Sequence, residues 1–407
     1  MERALSNSEF NSPAAPLAGI RVLELGQLLA GPFAGCVLGY FGAEVIKIEP
    51  LNGDPIRTWR VLRDGTSLWW YSLARNKKSV ALDLQTDSGR ALVRKLAAQC
   101  DVVIENFKPG TMEKWGLGPD TLKALRPDLI YARVSGYGQT GPYSSKPGFA
   151  SVCEAIGGLR YVNGFPDRPP VRPNLSLGDS LAGLHAVIGI LLSLIARGKT
   201  GFGQVVDVAI YEAVFNMLEG VVPEYDGAGV VREPSGSTLT GIVPSNTYLC
   251  GDGKYVVIGA NGDSLFQRLM RAIGRPEMAD DPRFANNAGR VQHEQEIDRA
   301  ISEWTRANDS ATVLRTLNEA SVPGGPIYSV ADMAADPHFN ARGLFQTVEI
   351  DGRPLKIPAI VPFLSETPGA TRTPGPKLGE HTDEVLRTLV GASDEEIAQW
   401  RAQRVIR

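Results

Sequence analysis

The chain has 407 residues, 43% hydrophobic and 21% charged, with a mean hydropathy of −0.09. That is the profile of a soluble globular protein of two or three domains, and it excludes a fibrous or disordered chain. Forty-two Lys and Arg against 45 Asp and Glu leave a formal charge of −3, which argues against nucleic-acid binding driven by net charge.

Residues 1–16 are polar and rich in Ser and Pro, so no secretory signal is expected. Cys36, Cys100, Cys153 and Cys250 lie far apart without a CxxC pair. That spacing excludes a disulfide scaffold and a cysteine zinc knuckle, and it fits a reducing cytoplasm. His185, His293, His338 and His381 form no HxxxH or HExxH set, so a histidine-built metal site is not expected.

Short β-branched runs at 20–25, 44–49, 79–84, 101–105 and 129–135 predict strands, with helical patterns at 87–99 and 119–125 between them. Apolar strands alternating with helices imply an α/β domain with a parallel sheet covered on both faces. The strongest helical pattern follows Asp179 and runs to about Arg197. Its apolar stretch, 181–196, is shorter than the roughly 20 residues a membrane span needs, so it is read as a buried core helix. A strand and a helix are predicted at 205–210 and 211–219. A Gly/Pro/Ser-rich stretch at 221–245 predicts a domain boundary. Beyond it come a hairpin (246–250 and 254–259) and helices near 263–273, 291–306 and 310–319, a smaller α+β domain. A second hairpin, 347–350 and 355–357, turns at Asp351-Gly352. Two helices close the chain, the last opened by a Ser393-x-x-Glu396 capping box.

Three motifs carry possible chemistry. Gly136-Tyr137-Gly138-Gln139-Thr140-Gly141 matches GxGxxG after a predicted strand, but Pro142 and loop-forming residues follow where a dinucleotide site needs a helix. Gly198-Lys199-Thr200 resembles a phosphate loop, yet Ser193 replaces the required first glycine; a helix C-cap at Gly198 explains it better. Gly178-Asp179-Ser180 opens the apolar helix. Asp179 there is either a simple N-cap or an ionised carboxylate held nucleophilic at the lip of a crevice. Ser180 is a rival nucleophile, but no GxSxG elbow surrounds it. Arg75-Asn76-Lys77-Lys78 and Glu105-Asn106-Phe107-Lys108 offer cations and an aromatic ring, or else an ordinary solvated face.

Taken in order, the segments Gly19–Leu25, Ala30-Gly31-Pro32, Gly42–Glu49, Arg75–Ser79, Glu105-Asn106-Phe107, Ser135–Gly138, Gly178-Asp179-Ser180 and Gly379–Thr382 resemble the class III coenzyme A transferases. This is the L-carnitine dehydratase/bile acid-inducible family, which includes formyl-CoA:oxalate CoA-transferase. The resemblance implies a large Rossmann-like parallel-sheet domain from both chain ends (1–222 and 331–407), a small inserted domain (223–330) and an interlocked homodimer. It implies CoA transfer from an acyl-CoA (succinyl-, formyl- or similar) to a small carboxylic or dicarboxylic acid through an aspartyl-CoA thioester on Asp179. Coenzyme A and its esters are substrates; no prosthetic group or metal is implied, and neither nucleic acid nor membrane is a partner.

The resemblance places the CoA contacts on Gln27, Leu28, Leu29, Ala30, Ala74, Arg75, Asn76, Lys77, Asn106, Phe107, Lys108, Lys114, Val134, Ser135, Gly136 and Tyr137. Substrate is expected to face Gly259, Ala260, Asn261 and Gly262, with Ser245, Asn246 and Asn261 as candidates for specificity. Pro50 and Ser135 replace an Arg and a Lys of the formyl-CoA enzyme, leaving Lys108 or Lys78 as substitutes. Two alternatives are carried. An alpha-methylacyl-CoA racemase would need a His where this chain has Phe149. A non-catalytic CoA-ester-binding protein would not need the Asp179 carboxylate.

Overall fold

The computed structural model describes residues 15–407. They form two compact units, one comprising the chain up to Leu159 with Pro173–Glu219 and Phe339–Arg407, the other Arg160–Arg172 with Gly220–His338. The second unit thus takes in 160–172, which the sequence assigned to the large domain, and it ends at 338 where 330 was expected.

The first unit is built on a six-stranded sheet from β1 (Arg21–Glu24), β2 (Glu44–Glu49), β5 (Lys77–Ala81), β6 (Val102–Glu105), β7 (Ile130–Ser135) and β8 (Val205–Ala209). A two-residue pair, β3 (Leu62–Arg63) and β4 (Thr66–Ser67), lies between the second and third of these. The order is β5-β2-β1-β6-β7-β8, and every pairing is parallel. Counting only sheet strands, this is 3-2-1-4-5-6, the doubly wound order whose switch point falls between β1 and β6.

Alternation along each strand divides the core. Val22, Val45, Val102 and Ile130 join Ala34, Val37 and Leu38 of the helix Ala30–Tyr40 and Ala182, Ala186 and Ile190 of the long helix Leu177–Thr200. Leu23, Ile46, Val103 and Tyr131 face the helix Asp87–Ala97 and the C-terminal residues Leu386, Ile397 and Ile406. Successive side chains on a strand point to opposite faces, so both faces are covered and both are apolar. A hairpin of β12 (Phe345–Ile350) and β13 (Arg353–Pro358) completes this unit. Asp351 and Gly352 both have positive φ (46° and 74°), as a two-residue turn of this hand requires.

The second unit carries a three-stranded antiparallel sheet, order β11-β10-β9, of β9 (Ser245–Leu249), β10 (Tyr255–Gly259) and β11 (Gly324–Pro326). Val256 and Ile258 pack with Phe266, Leu269, Ile297, Ile301, Val313 and Leu317 of three amphipathic helices.

Two local expectations are corrected. The long helix is not buried all round: Ile188, Leu192 and Ile195 are 53%, 59% and 60% exposed, and this helix is long and apolar enough to span a membrane by length and composition. It runs past Gly198 to Thr200 and is capped by Gly201 in the left-handed region (φ 77°). The Gly/Pro/Ser-rich stretch expected as a domain boundary begins where the chain passes into the second unit at Gly220, and it contains the helix Val221–Ala228.

Candidate active site

The carboxyl ends of β1 and β6 flank the switch point, where doubly wound sheets bind ligands. The Asn106 side chain bridges them: its Oδ1 accepts from Gln27 N at 2.8 Å and its Nδ2 donates to Gln27 O at 2.8 Å. A Cβ on Gly26 would stand 2.8 Å from that Oδ1, which explains the glycine. Leu28 follows at φ +62°, its N–H shared between the two oxygens of buried Asp54 at 3.1 and 3.3 Å. Lys47 pairs with Asp54 at 2.9 Å and donates to Gly26 O at 2.8 Å. The loop 26–29 is thus clamped in a strained form and delivers the uncapped start of the helix Ala30–Tyr40 to the crevice. Phe107 beside it packs edge-on against Trp115 with ring centroids 5.2 Å apart, and Lys108 and Lys114 are exposed.

The side chains of the segment 74–77 are engaged within the fold. Ala74 is buried. Arg75, also buried, donates to Ser72 O, Pro358 O and the Thr371 hydroxyl. Asn76 donates to Gly39 O and Ala370 O and accepts from Arg372 N and Thr373 N. Lys77 is enclosed, paired with Glu24 at 2.7 Å and donating to Pro32 O at 2.6 Å. Ala74, Arg75 and Lys77 are buried and Asn76 is partly buried, all held by contacts within the fold. Lys78 is likewise committed, to Glu44 and Glu384.

At the end of β7, Val134 and Ser135 are buried, and Ser135 Oγ accepts from Gly138 N at 3.0 Å. A Cβ on Gly136 would lie 2.9 Å from Gly148 Cα, so two backbone stretches touch there. Tyr137 packs edge-on against Tyr143 and tilted against Tyr211, with ring centroids 5.9 and 6.0 Å apart. The chain remains a loop until the helix Ala150–Ile156, so GxGxxG here opens no dinucleotide-binding helix.

Asp179 is the third residue of the long helix, half-buried; Ser176 occupies the N-cap and makes no side-chain capping bond. Asp179 is therefore not the cap. Ser180 Oγ donates to Ser176 O at 3.0 Å, which ties the rival nucleophile into the helix. One turn on, a Cβ at Gly183 would stand 2.8 Å from Ala30 O and 2.9 Å from Phe33 Cδ1. That close approach draws the Asp179 turn to the 27–30 loop. On the other side, Cys153 donates its S–H to Gly136 O at 3.3 Å. Burial, and then the charges of Asp179 and Glu154, push the Cys153 thiol up to about 11. Within the first unit, these contacts tie residues 106–107 to the 27–30 loop, bring the turn after Asp179 against that loop, and hold Gly136 by the helix that also meets Gly178.

Sequence reasoning missed Glu154. It is buried, and its Oε1 accepts from Gly178 N at 3.0 Å. The available signal was a lone acid inside the apolar stretch Ala-Ser-Val-Cys-Glu-Ala-Ile.

Gly259, Ala260, Asn261 and Gly262 belong to the second unit. Gly259 ends β10, Ala260 N donates to Pro244 O at 2.9 Å, and Gly262 caps the helix Asp263–Ala272. Buried Arg290 donates to the Asn261 carbonyl and pairs with Asp263 at 2.8 Å. Asn246 is occupied within the unit: it donates to Asp298 at 2.8 Å and accepts from Ser237 and Thr247.

The profile of CoA-transferase family III matches residues 17–382. A succinyl-CoA--D-citramalate CoA-transferase of Chloroflexus aurantiacus is 49% identical over 97% of this chain and 99% of its own. The alpha subunit of a succinyl-CoA--L-malate CoA-transferase from the same organism is 46% identical over 96% and 92%. A succinyl-CoA:glutarate CoA-transferase of Homo sapiens is 33% identical over 96% and 90%. Among solved structures, a CAIB/BAIF family protein from Brucella suis superposes with a TM-score of 0.80 at 36% identity, over 92% of this chain and 99% of that one. The ordered motifs, the doubly wound sheet with its small sheets and these likenesses agree: the chain belongs to CoA-transferase family III and is a class III CoA-transferase.

Proposed function

We propose that the protein moves CoA from succinyl-CoA to a small dicarboxylic acid, with Asp179 as the nucleophile. The observation that carries this reading is the half-buried Asp179 carboxylate in a helix first turn, drawn by Gly183 against the switch-point loop 27–30. The succinyl-CoA dependence and four- or five-carbon diacid acceptors named for the relatives favour succinyl-CoA over formyl-CoA.

An Asp179 oxygen attacks the thioester carbonyl, the C–S bond breaks, and CoA thiolate leaves a mixed anhydride. The thiolate then attacks the Asp179 carbonyl carbon, releasing succinate and leaving an aspartyl-CoA thioester. The acceptor carboxylate attacks that carbon and expels CoA thiolate, which finally attacks the acceptor's acyl carbon and frees Asp179. No proton or electron is consumed, and exchange between carboxylates of similar basicity is nearly thermoneutral. The covalent route divides one difficult exchange into easier steps. The helix terminus favours a negative charge at this position, and free backbone N–H groups at the start of the helix Ala30–Tyr40 are suited to stabilising the oxyanions. CoA lies across the 27–30 and 106–107 loops, with Lys108 and Lys114 as its exposed cations.

The exposed apolar stripe Leu184, Ile188, Leu191, Leu192 and Ile195 supports a homodimer, since a soluble monomer rarely leaves such a row uncovered. Four buried free cysteines fit a reducing cytoplasm.

Mass spectrometry of the CoA-ester pool tests the reaction, with succinyl-CoA, formyl-CoA and a 2-methylacyl-CoA offered with malate, citramalate, glutarate and oxalate in heavy water. A new diacid-CoA made from succinyl-CoA and lost in Asp179→Ala is expected. Deuterium in the methylacyl ester without a new ester would establish the racemase alternative. Binding of CoA esters with no exchange, identical in Asp179→Ala, would establish the non-catalytic one.

A further inference from the structure

We propose that Glu154 is a positioning residue for Asp179: by accepting the Gly178 N–H it fixes the first turn of the long helix and the aim of the nucleophile. The inference rests on the reading of Asp179 as that nucleophile. The first turn of a helix has N–H groups without intrahelical partners, and a cap residue's side chain normally satisfies one of them. Ser176 does not do so. The partner comes instead from a separate helix, where Glu154 Oε1 sits 3.0 Å from Gly178 N.

The fit is close. A Cβ on Gly178 would stand 3.0 Å from Glu154 Cγ and 3.2 Å from Ile210 Cγ2, so the peptide lies flat against the glutamate. Burying a carboxyl group in this apolar helix is costly unless the group is hydrogen-bonded, and an aliphatic residue would fill the same space more cheaply. Cys153, one residue earlier, holds the Gly136 carbonyl. Consecutive residues of one short helix therefore tie down both the Gly136–Tyr137 loop and the Asp179 turn. A fraying first turn would swing the carboxylate off the thioester carbonyl, and attack is steeply sensitive to such displacement.

Rapid-quench intact-mass measurement of the aspartyl-CoA adduct, with succinyl-CoA affinity and thermal melting measured alongside, separates positioning from folding. Glu154→Gln, which keeps an oxygen acceptor, is expected to form the adduct within about threefold of the parent rate, and Glu154→Met to slow it by about 100-fold. In both, the adduct yield per folded molecule and the succinyl-CoA affinity should stay unchanged. Should Glu154→Met fail to fold, Gly178→Ala, which pushes the turn off Glu154, is expected to give the same slowing. Equal slowing in Gln and Met, no slowing in Met, or a loss confined to adduct yield would each overturn the inference. An adduct that survives Asp179→Ala would overturn the nucleophile reading, and this inference with it. An adduct lost in Asp179→Ala yet unslowed in Glu154→Met would overturn this inference alone.

Discussion

Lys77 shows how a residue's chemistry and its role separate once the chain folds. In the sequence it belongs to a basic run next to aromatic residues, a pattern suited to phosphate. In the fold it is enclosed with Glu24, which also pairs with Lys47 at 3.0 Å, so two lysines share one carboxylate beneath the 26–29 loop. Burial depresses the Lys77 ammonium and Glu24 opposes that, while Asp54 and Glu24 outweigh burial at Lys47 and hold it above the ordinary lysine value. Lys77→Met is therefore expected to lower stability by about 3 kcal/mol, the cost of breaking a buried pair. It should leave succinyl-CoA affinity per folded molecule unaltered. Urea unfolding and calorimetric titration check the two halves; a loss of affinity at unchanged stability would restore Lys77 as a ligand contact.

At the scale of elements, the helix Ala30–Tyr40 is the instructive case. It contains Pro32 and glycines at 31, 35 and 39 and has no polar face, so no amphipathic period announces it. The glycines lie four residues apart on one side of the helix, facing Ile104, Glu24 and Val45. A Cβ at Gly35 would overlap the Glu24 carboxylate. The helix exists because its small residues let it press on a sheet whose buried ion pairs need that closeness. Gly183 serves the same purpose in the long helix. Gly183→Ala is expected to force the two helices apart, costing about 1–3 kcal/mol by overpacking. It should also raise KM for the CoA ester, because the 27–30 loop and Asp179 move relative to one another. Steady-state kinetics alongside thermal melting would show both effects, and an unchanged KM would sever the link between this contact and the crevice.

For the whole molecule, the exposed apolar row on the long helix is the feature on which the proposed homodimer rests. Ile188→Glu with Leu192→Glu is expected to convert a dimer to monomer or to leave the chain insoluble, as judged by light scattering and native mass. A parent chain that is monomeric at micromolar concentration would remove the homodimer. Much of the architecture is local in origin. Edges of β2 and of the helix Pro119–Leu125, the Asp351-Gly352 turn and the Ser393–Glu396 capping box follow from periodicity and turn chemistry acting over a few residues. The ordered motifs likewise sufficed to identify the family and to single out Asp179. What local pattern could not supply is partnership across long separations: Asn106 with Gln27, Glu154 with Gly178, and Lys77 with Glu24. Whether a lysine meets solvent or a buried glutamate, and whether a helix is apolar toward a core or toward another subunit, depends on what the fold brings against it. The chain's own residues determine which elements form and mark Asp179 as the candidate carboxylate; only tertiary packing decides which charges are already taken and which side chain meets the Gly178 N–H.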